Sequence, residues 1–102
     1  MIKEASSDFH GDIAEGNVLV MISTPGCGPC GIMKRNVLPF LENIDIITVD
    51  ATKQMDPVNI VQASSGPIQS VPVCVLYKNG SIVKRKDGGM SLEEAQEFVE
   101  SE

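Results

Sequence analysis

Tryptophan is absent from this chain, tyrosine occurs once and phenylalanine three times. The core must therefore be built from aliphatic side chains and methionine. Positive charge is also scarce: 8 Lys and Arg stand against 14 Asp and Glu, a net charge of −6. That balance argues against nucleic-acid binding, which needs a basic face. No apolar run approaches the ~18 residues that would suggest a membrane span, and Met1-Ile2-Lys3-Glu4 is not followed by the long apolar segment of a secretory signal. The expected location is the cytosol. Histidine occurs once, as His10, and cysteine three times. A zinc site would have to draw its four ligands from Cys27, Cys30, Cys74 and His10, which are scattered and lack a second paired knuckle. No metal and no bound cofactor is expected.

What the chain does have is length for one domain, residues 1–102, with enough buried surface for one core without staples. Ile2 to Ala5 reads as a short strand. Ser6 or Ser7 can cap a brief helix with Phe9 and Ile13 on one face. Val18 to Ile22 is apolar on both faces, as a central strand between helix layers should be. From Gly31 to Asn43 the pattern is helical. Met33, Val37, Phe40, Leu41 and Ile44 recur near a 3.6 period, and Pro39 kinks or ends the helix. Ile44 to Val49 is the next strand. Asp56-Pro57 reads as an N-cap followed by N1, and Ser64-Ser65-Gly66-Pro67 ends that helix. Val71 to Tyr77 and Ile82 to Lys86 pair across an Asn79-Gly80 turn. Ser91-Leu92-Glu93-Glu94 fits a capping box, and Leu92, Ala95, Phe98 and Val99 form the buried stripe of a last helix. The predicted order is β-α-β-α-β-α-β-β-α, an α/β fold with a mixed sheet and helices on both faces. Lys84-Arg85-Lys86 reads as a solvated strand edge.

The chemistry concentrates at Cys27-Gly28-Pro29-Cys30, which follows the apolar strand and precedes the helical pattern. A thiol at a helix N-terminus is ionised more easily, because aligned peptide dipoles and free N–H groups stabilise the thiolate. A second thiol three residues on can close a disulfide with it. In a reducing compartment such a pair is catalytic, redox-sensing or metal-binding more often than structural, and thiol–disulfide exchange is the leading reading. An iron–sulfur cluster shared by two chains and an inert pair are the alternatives. Position assigns the roles. Cys27, ahead of the helix body, is the nucleophile; Cys30, one turn in and more buried, is the resolving thiol. Gly28 lets the backbone bend, and Pro29 suits a first helical turn. Cys74 reads as a small buried hydrophobe, with a regulatory thiol as the sharper alternative. His10 reads as a surface residue.

Cys-Gly-Pro-Cys resembles the active site of the thioredoxin family. Ser70-Val71-Pro72-Val73 is similar to the family's cis-proline loop, Tyr77-Lys78-Asn79-Gly80 to its last hairpin turn, and Gly88-Gly89-Met90-Ser91 to the approach to its last helix. The resemblance covers nearly the whole chain, more loosely between residues 38 and 69. It implies the thioredoxin fold and a monomeric protein disulfide reductase. It also implies a cis peptide before Pro72, with Val71 offering backbone groups to an extended substrate and Gly88 lining the same surface. The family's partners are disulfide-containing proteins and an NADPH-dependent thioredoxin reductase.

The chain departs from the family at four places. Gly26 stands where the family has Trp, which loosens the active-site loop. Met21 stands where it has a buried Asp, and Ile46 near that acid's Lys partner. Gly31 replaces the positive residue common after the second cysteine. Two other functions therefore compete. One is a glutaredoxin-like protein regenerated by glutathione, which Gly88-Gly89 and the Trp-less loop resemble. The other is a redox-inactive binding module on the same fold.

Overall fold

The computed structural model describes residues 1–100. Among the described residues there are five strands and four α-helices, in the order β1 (Ile2–Glu4), α1 (Phe9–Asp12), β2 (Asn17–Ser23), α2 (Gly28–Asn36), β3 (Asp45–Asp50), α3 (Met55–Ser65), β4 (Val73–Lys78), β5 (Ser81–Asp87) and α4 (Leu92–Glu100). The sheet order is β1-β3-β2-β4-β5. β3 runs parallel to both β1 and β2, while β4 is antiparallel to β2 and to β5. This is the mixed sheet of the thioredoxin fold, and its elements follow the expected β-α-β-α-β-α-β-β-α sequence.

The strand period of two sorts the core into two layers. Val18, Val20 and Ile22 of β2 join Ile47, Val49, Val73, Val75 and Tyr77 beneath Phe9 and Ile13 from the α1 side and Val58 and Val61 from α3. Leu19 and Met21 face the other way, with Ile46, Cys74 and Leu76, against Met33 of α2 and Ala95 of α4. β2 is the axis of both layers, and its residues from Val18 to Ile22 are buried.

Several elements differ locally from expectation. α1 is capped by Asp8, whose carboxylate accepts from Gly11 N–H at 3.0 Å, and not by Ser6 or Ser7. Ser6 instead donates from its N–H and hydroxyl to the Asp12 carboxylate. The helix expected from Gly31 to Asn43 begins at Gly28 and ends at Asn36, followed by a 3-10 turn over Leu38–Phe40. Pro39 has no N–H to extend the ladder. The tighter turn buries Leu38 and leaves Phe40 57% exposed, so Phe40 is not a core residue. α3 starts before Asp56, which lies in its first turn. Gln54 takes the cap position but spends its side chain elsewhere: Oε1 accepts from Asp50 N–H at 3.0 Å and Nε2 donates to Ala5 O at 2.8 Å. It thus joins the ends of β1 and β3. The Asn79-Gly80 turn has positive φ at both residues, 49° and 85°, as the tight hairpin between β4 and β5 requires. Ser91 and Glu94 form the reciprocal capping box of α4 at 2.9 and 3.1 Å.

Candidate active site

β2 ends at Ser23, and the chain turns through Thr24, Pro25 and Gly26 into α2. Gly26 has φ +81°, a left-handed conformation that a side chain resists, and a Cβ placed there would meet nothing within 4 Å. The turn thus leaves one flank of the cysteine pair uncovered. Cys27 is the N-cap residue of α2, with extended φ and ψ of −79° and 111°. Its Sγ accepts from Cys30 N–H at 3.2 Å, and its carbonyl accepts from Gly31 N–H at 3.1 Å. Pro29, which brings no N–H, occupies the first turn. The first turn holds no acidic residue, and Lys34 and Arg35 lie in the last turn. Both facts leave the dipole's positive end free to act on Cys27 Sγ.

Cys27 and Cys30 form a disulfide, with Cα atoms 5.2 Å apart. Cys27 is partly exposed, whereas Cys30 retains 2% of its surface. The Val71–Pro72 peptide is cis. Val71 O lies 3.9 Å from Cys27 Sγ, a sequence separation of 44 residues. Gly88 N–H donates to Pro72 O at 2.9 Å, so the end of β5 secures the same loop. A Cβ on Gly89 would stand 3.7 Å from Pro29 Cβ, which places the Gly88-Gly89 bend against the Cys-Gly-Pro-Cys turn. Cys27, Cys30, Gly26, Gly28, Pro29, Val71, Pro72 and Gly88 thus gather at one end of the sheet.

Met21 and Ile46 are both buried in the layer that includes Cys74, Met33 and Ala95. Both positions are apolar, so neither half of a buried acid–lysine pair is present at them. Cys74 lies opposite Met21 in the β2–β4 register and is fully buried. Burial pushes its thiol up to about 12. His10 is exposed on α1. Among the described residues, no group of three or more His, Cys, Asp and Glu is placed to hold a metal ion.

Sequence reasoning missed Arg85. It does not belong to a solvated edge: its side chain is 13% exposed. In the β4–β5 register it lies opposite Val75, whose side chain joins the α3 layer. Its Nη1 donates to Ser65 O, Ser65 Oγ and Gly66 O, and its Nη2 donates to Pro67 O. The available signal was its place two residues before Asp87 on the face that carries Val73 and Val75.

The thioredoxin family model matches residues 1–101. The chain is 29% identical over 107 residues to thioredoxin of Bacillus subtilis (strain 168), covering 97% of this chain and 94% of that protein. With thioredoxin of Chlamydia pneumoniae it shares 35% identity over 91 residues, covering 86% and 85%. Among solved structures, mitochondrial thioredoxin 3 from Saccharomyces cerevisiae in its oxidised form superposes with a TM-score of 0.80 at 15% identity, over 97% of this chain and 93% of that one. Trxlp from Edwardsiella tarda EIB202 gives the same TM-score at 18% identity, over 97% and 98%. Two homologous thioredoxins matched over most of their length, and a cysteine pair joined across one helical turn, make this chain a thiol–disulfide oxidoreductase of the thioredoxin family.

Proposed function

We propose that the chain reduces disulfides in partner proteins, with Cys27 as nucleophile and Cys30 as resolving thiol. The observation that carries this assignment is the asymmetry of the pair: Cys27 is open at the N-cap beside Val71 O, while Cys30 is buried behind it. The Cys27 thiolate attacks one sulfur of the substrate disulfide, and the other leaves as a thiolate that takes up a proton. Cys30 then loses its proton and attacks Cys27 Sγ. The mixed disulfide breaks, the substrate leaves fully reduced, and the Cys27–Cys30 disulfide remains. Two electrons have passed to the substrate without any bound cofactor.

The substrate segment lies extended along Val71 and Pro72, where main-chain bonds give affinity with little sequence preference. Gly26 leaves the neighbouring flank open to bulky partners. An NADPH-dependent thioredoxin reductase restores the dithiol, and the protein acts as a cytosolic monomer. The family match supports that partner choice.

Two measurements test this. Oxidised protein with NADPH and thioredoxin reductase should consume NADPH; consumption only with glutathione and its reductase would replace the regeneration route. Cys27→Ser should abolish insulin reduction, and Cys30→Ser should trap substrate on Cys27. Trapping on Cys30 in the Cys27→Ser variant would reverse the two roles.

A further inference from the structure

The basic run on β5 contains Arg85, whose side chain is turned away from solvent and is 13% exposed. Arg85 and Asp87 lie two apart on the sheet face that α3 covers, opposite Val75 and Val73. The guanidinium grips Asp87 through both oxygens, Nε to Oδ1 at 2.6 Å and Nη2 to Oδ2 at 3.0 Å. The carboxylate fixes the plane of the fork, and the remaining N–H groups point at the end of α3. There Ser65 O and Gly66 O accept from Nη1 at 3.1 and 2.9 Å, and Pro67 O accepts from Nη2 at 2.8 Å. Ser65 Oγ also accepts from Nη1 at 3.1 Å while donating to Val61 O at 2.8 Å.

Ser65 O and Gly66 O are carbonyls that α3 leaves unpaired at its negative end, and Pro67 O follows directly after the cap. Only a planar, five-donor cation can serve three of them and a bidentate carboxylate at once. Gln62 adds a second tie, its Oε1 accepting from Ile68 N–H at 2.8 Å. Val71 follows Ile68 by three positions, a reach of at most ~10 Å even when extended. Only Gln69 and Ser70 thus separate this anchored segment from Val71. On the other side of Val71, Gly88 N–H holds Pro72 O at 2.9 Å, and Gly88 directly follows Asp87. The C-terminal end of β5 thus grips the substrate loop both before and after Val71.

We propose that Arg85, oriented by Asp87, is a positioning residue for protein disulfide reduction. From the sheet edge it fixes the loop that presents the Val71 main chain to an extended substrate beside Cys27. This inference rests on the function proposed above. It concerns docking alone, since Arg85 hydrogen-bonds the loop and takes no part in sulfur chemistry.

The test compares wild type, Arg85→Lys and Asp87→Asn on two disulfides: insulin, turned over with dithiothreitol as reductant, and dithiodipyridine, mixed with the pre-reduced protein after the dithiothreitol is removed. Insulin must dock as a chain; dithiodipyridine is too small to need the loop. Arg85→Lys keeps the charge but loses the fork. It should raise the KM for insulin about tenfold with kcat within about twofold, the scale of losing charged hydrogen bonds. Asp87→Asn should shift KM the same way by about threefold. Reaction of the pre-reduced protein with dithiodipyridine and alkylation of Cys27 by iodoacetamide should stay at wild-type rates. A folded Arg85→Lys variant with unchanged insulin KM would overturn the proposal. So would equal losses on both disulfides, which would mean general loosening. If Arg85→Lys does not fold, Asp87→Asn decides by the same criteria. Wild type that reduces dithiodipyridine but not insulin would instead overturn the protein-substrate reading, and this inference with it.

Discussion

Of the three cysteines, two are joined and one, Cys74, is free and buried. With its thiol pushed up to about 12 by burial, Cys74 has almost no thiolate at neutral pH and is inert while the fold lasts. Iodoacetamide at pH 8 should leave Cys74 of the oxidised native protein unlabelled, and should label it fully in urea. Native labelling would show that β4 opens. The same burial sets a sign for stability. A thiol held neutral contributes fully below its ordinary value of 9.0 and loses that contribution as pH climbs toward about 12. Cys74→Val should therefore flatten the alkaline loss of stability in that window, leaving only what Tyr77, also raised by burial, contributes. Met21, facing Cys74 across the β2–β4 pair, makes a complementary case. Met21→Asp would place a carboxylate in an apolar layer without a partner, a cost of about 3–5 kcal/mol at pH 7. The penalty should shrink toward pH 4, where the acid can be neutral. Urea unfolding at the two pH values measures it; equal stability to wild type at pH 7 would show that the layer admits water or another cation.

Elements reveal which local signals suffice. The box at the start of α4 was readable because both partners lie within four residues and no other part of the fold competes for them. Ser91→Ala should cost about 1 kcal/mol in urea unfolding at pH 7. The Ser91 N–H, and then its hydroxyl, hold the Glu94 carboxyl below its usual range. A depressed carboxyl stabilises above its ordinary value near 4.5 and loses that effect as pH falls through its folded value. The difference between Ser91→Ala and wild type should therefore narrow at pH 3. The start of α3 misled for the opposite reason. Asp56-Pro57 looks like a cap and first turn, yet Gln54 is drawn to backbone groups of β1 and β3, and the helix starts ahead of Asp56. Arg85 was only half readable: its pairing with Asp87 had a local signal, but its contacts with the end of α3 had none. Its acceptors are carbonyls 18 to 20 residues away, which carry no side-chain signature. The reactive turn was legible because four contiguous residues hold it. Its meeting with Val71 depends on a contact across 44 residues, and only the family resemblance pointed to that.

For the whole molecule, the unbroken apolar run along β2 was the strongest guide, because a strand apolar on both faces can only lie between two layers. It did not specify neighbours. That β2 lies between a parallel β3 and an antiparallel β4 follows from how the crossovers and the hairpin close, information spread over the whole chain. The arrangement has a consequence for how the protein breathes. β2 is hydrogen-bonded on both sides and buried from Val18 to Ile22, while β1 and β5 form the borders of the sheet. In deuterated water, amides of β2 should be among the last to exchange, near the rate set by global unfolding, and those of β1 far sooner. Comparable protection in β1 and β2 would contradict this. The reactive turn grows directly from the slow-exchanging strand, so the sulfur pair keeps its seat through the local openings that expose the borders.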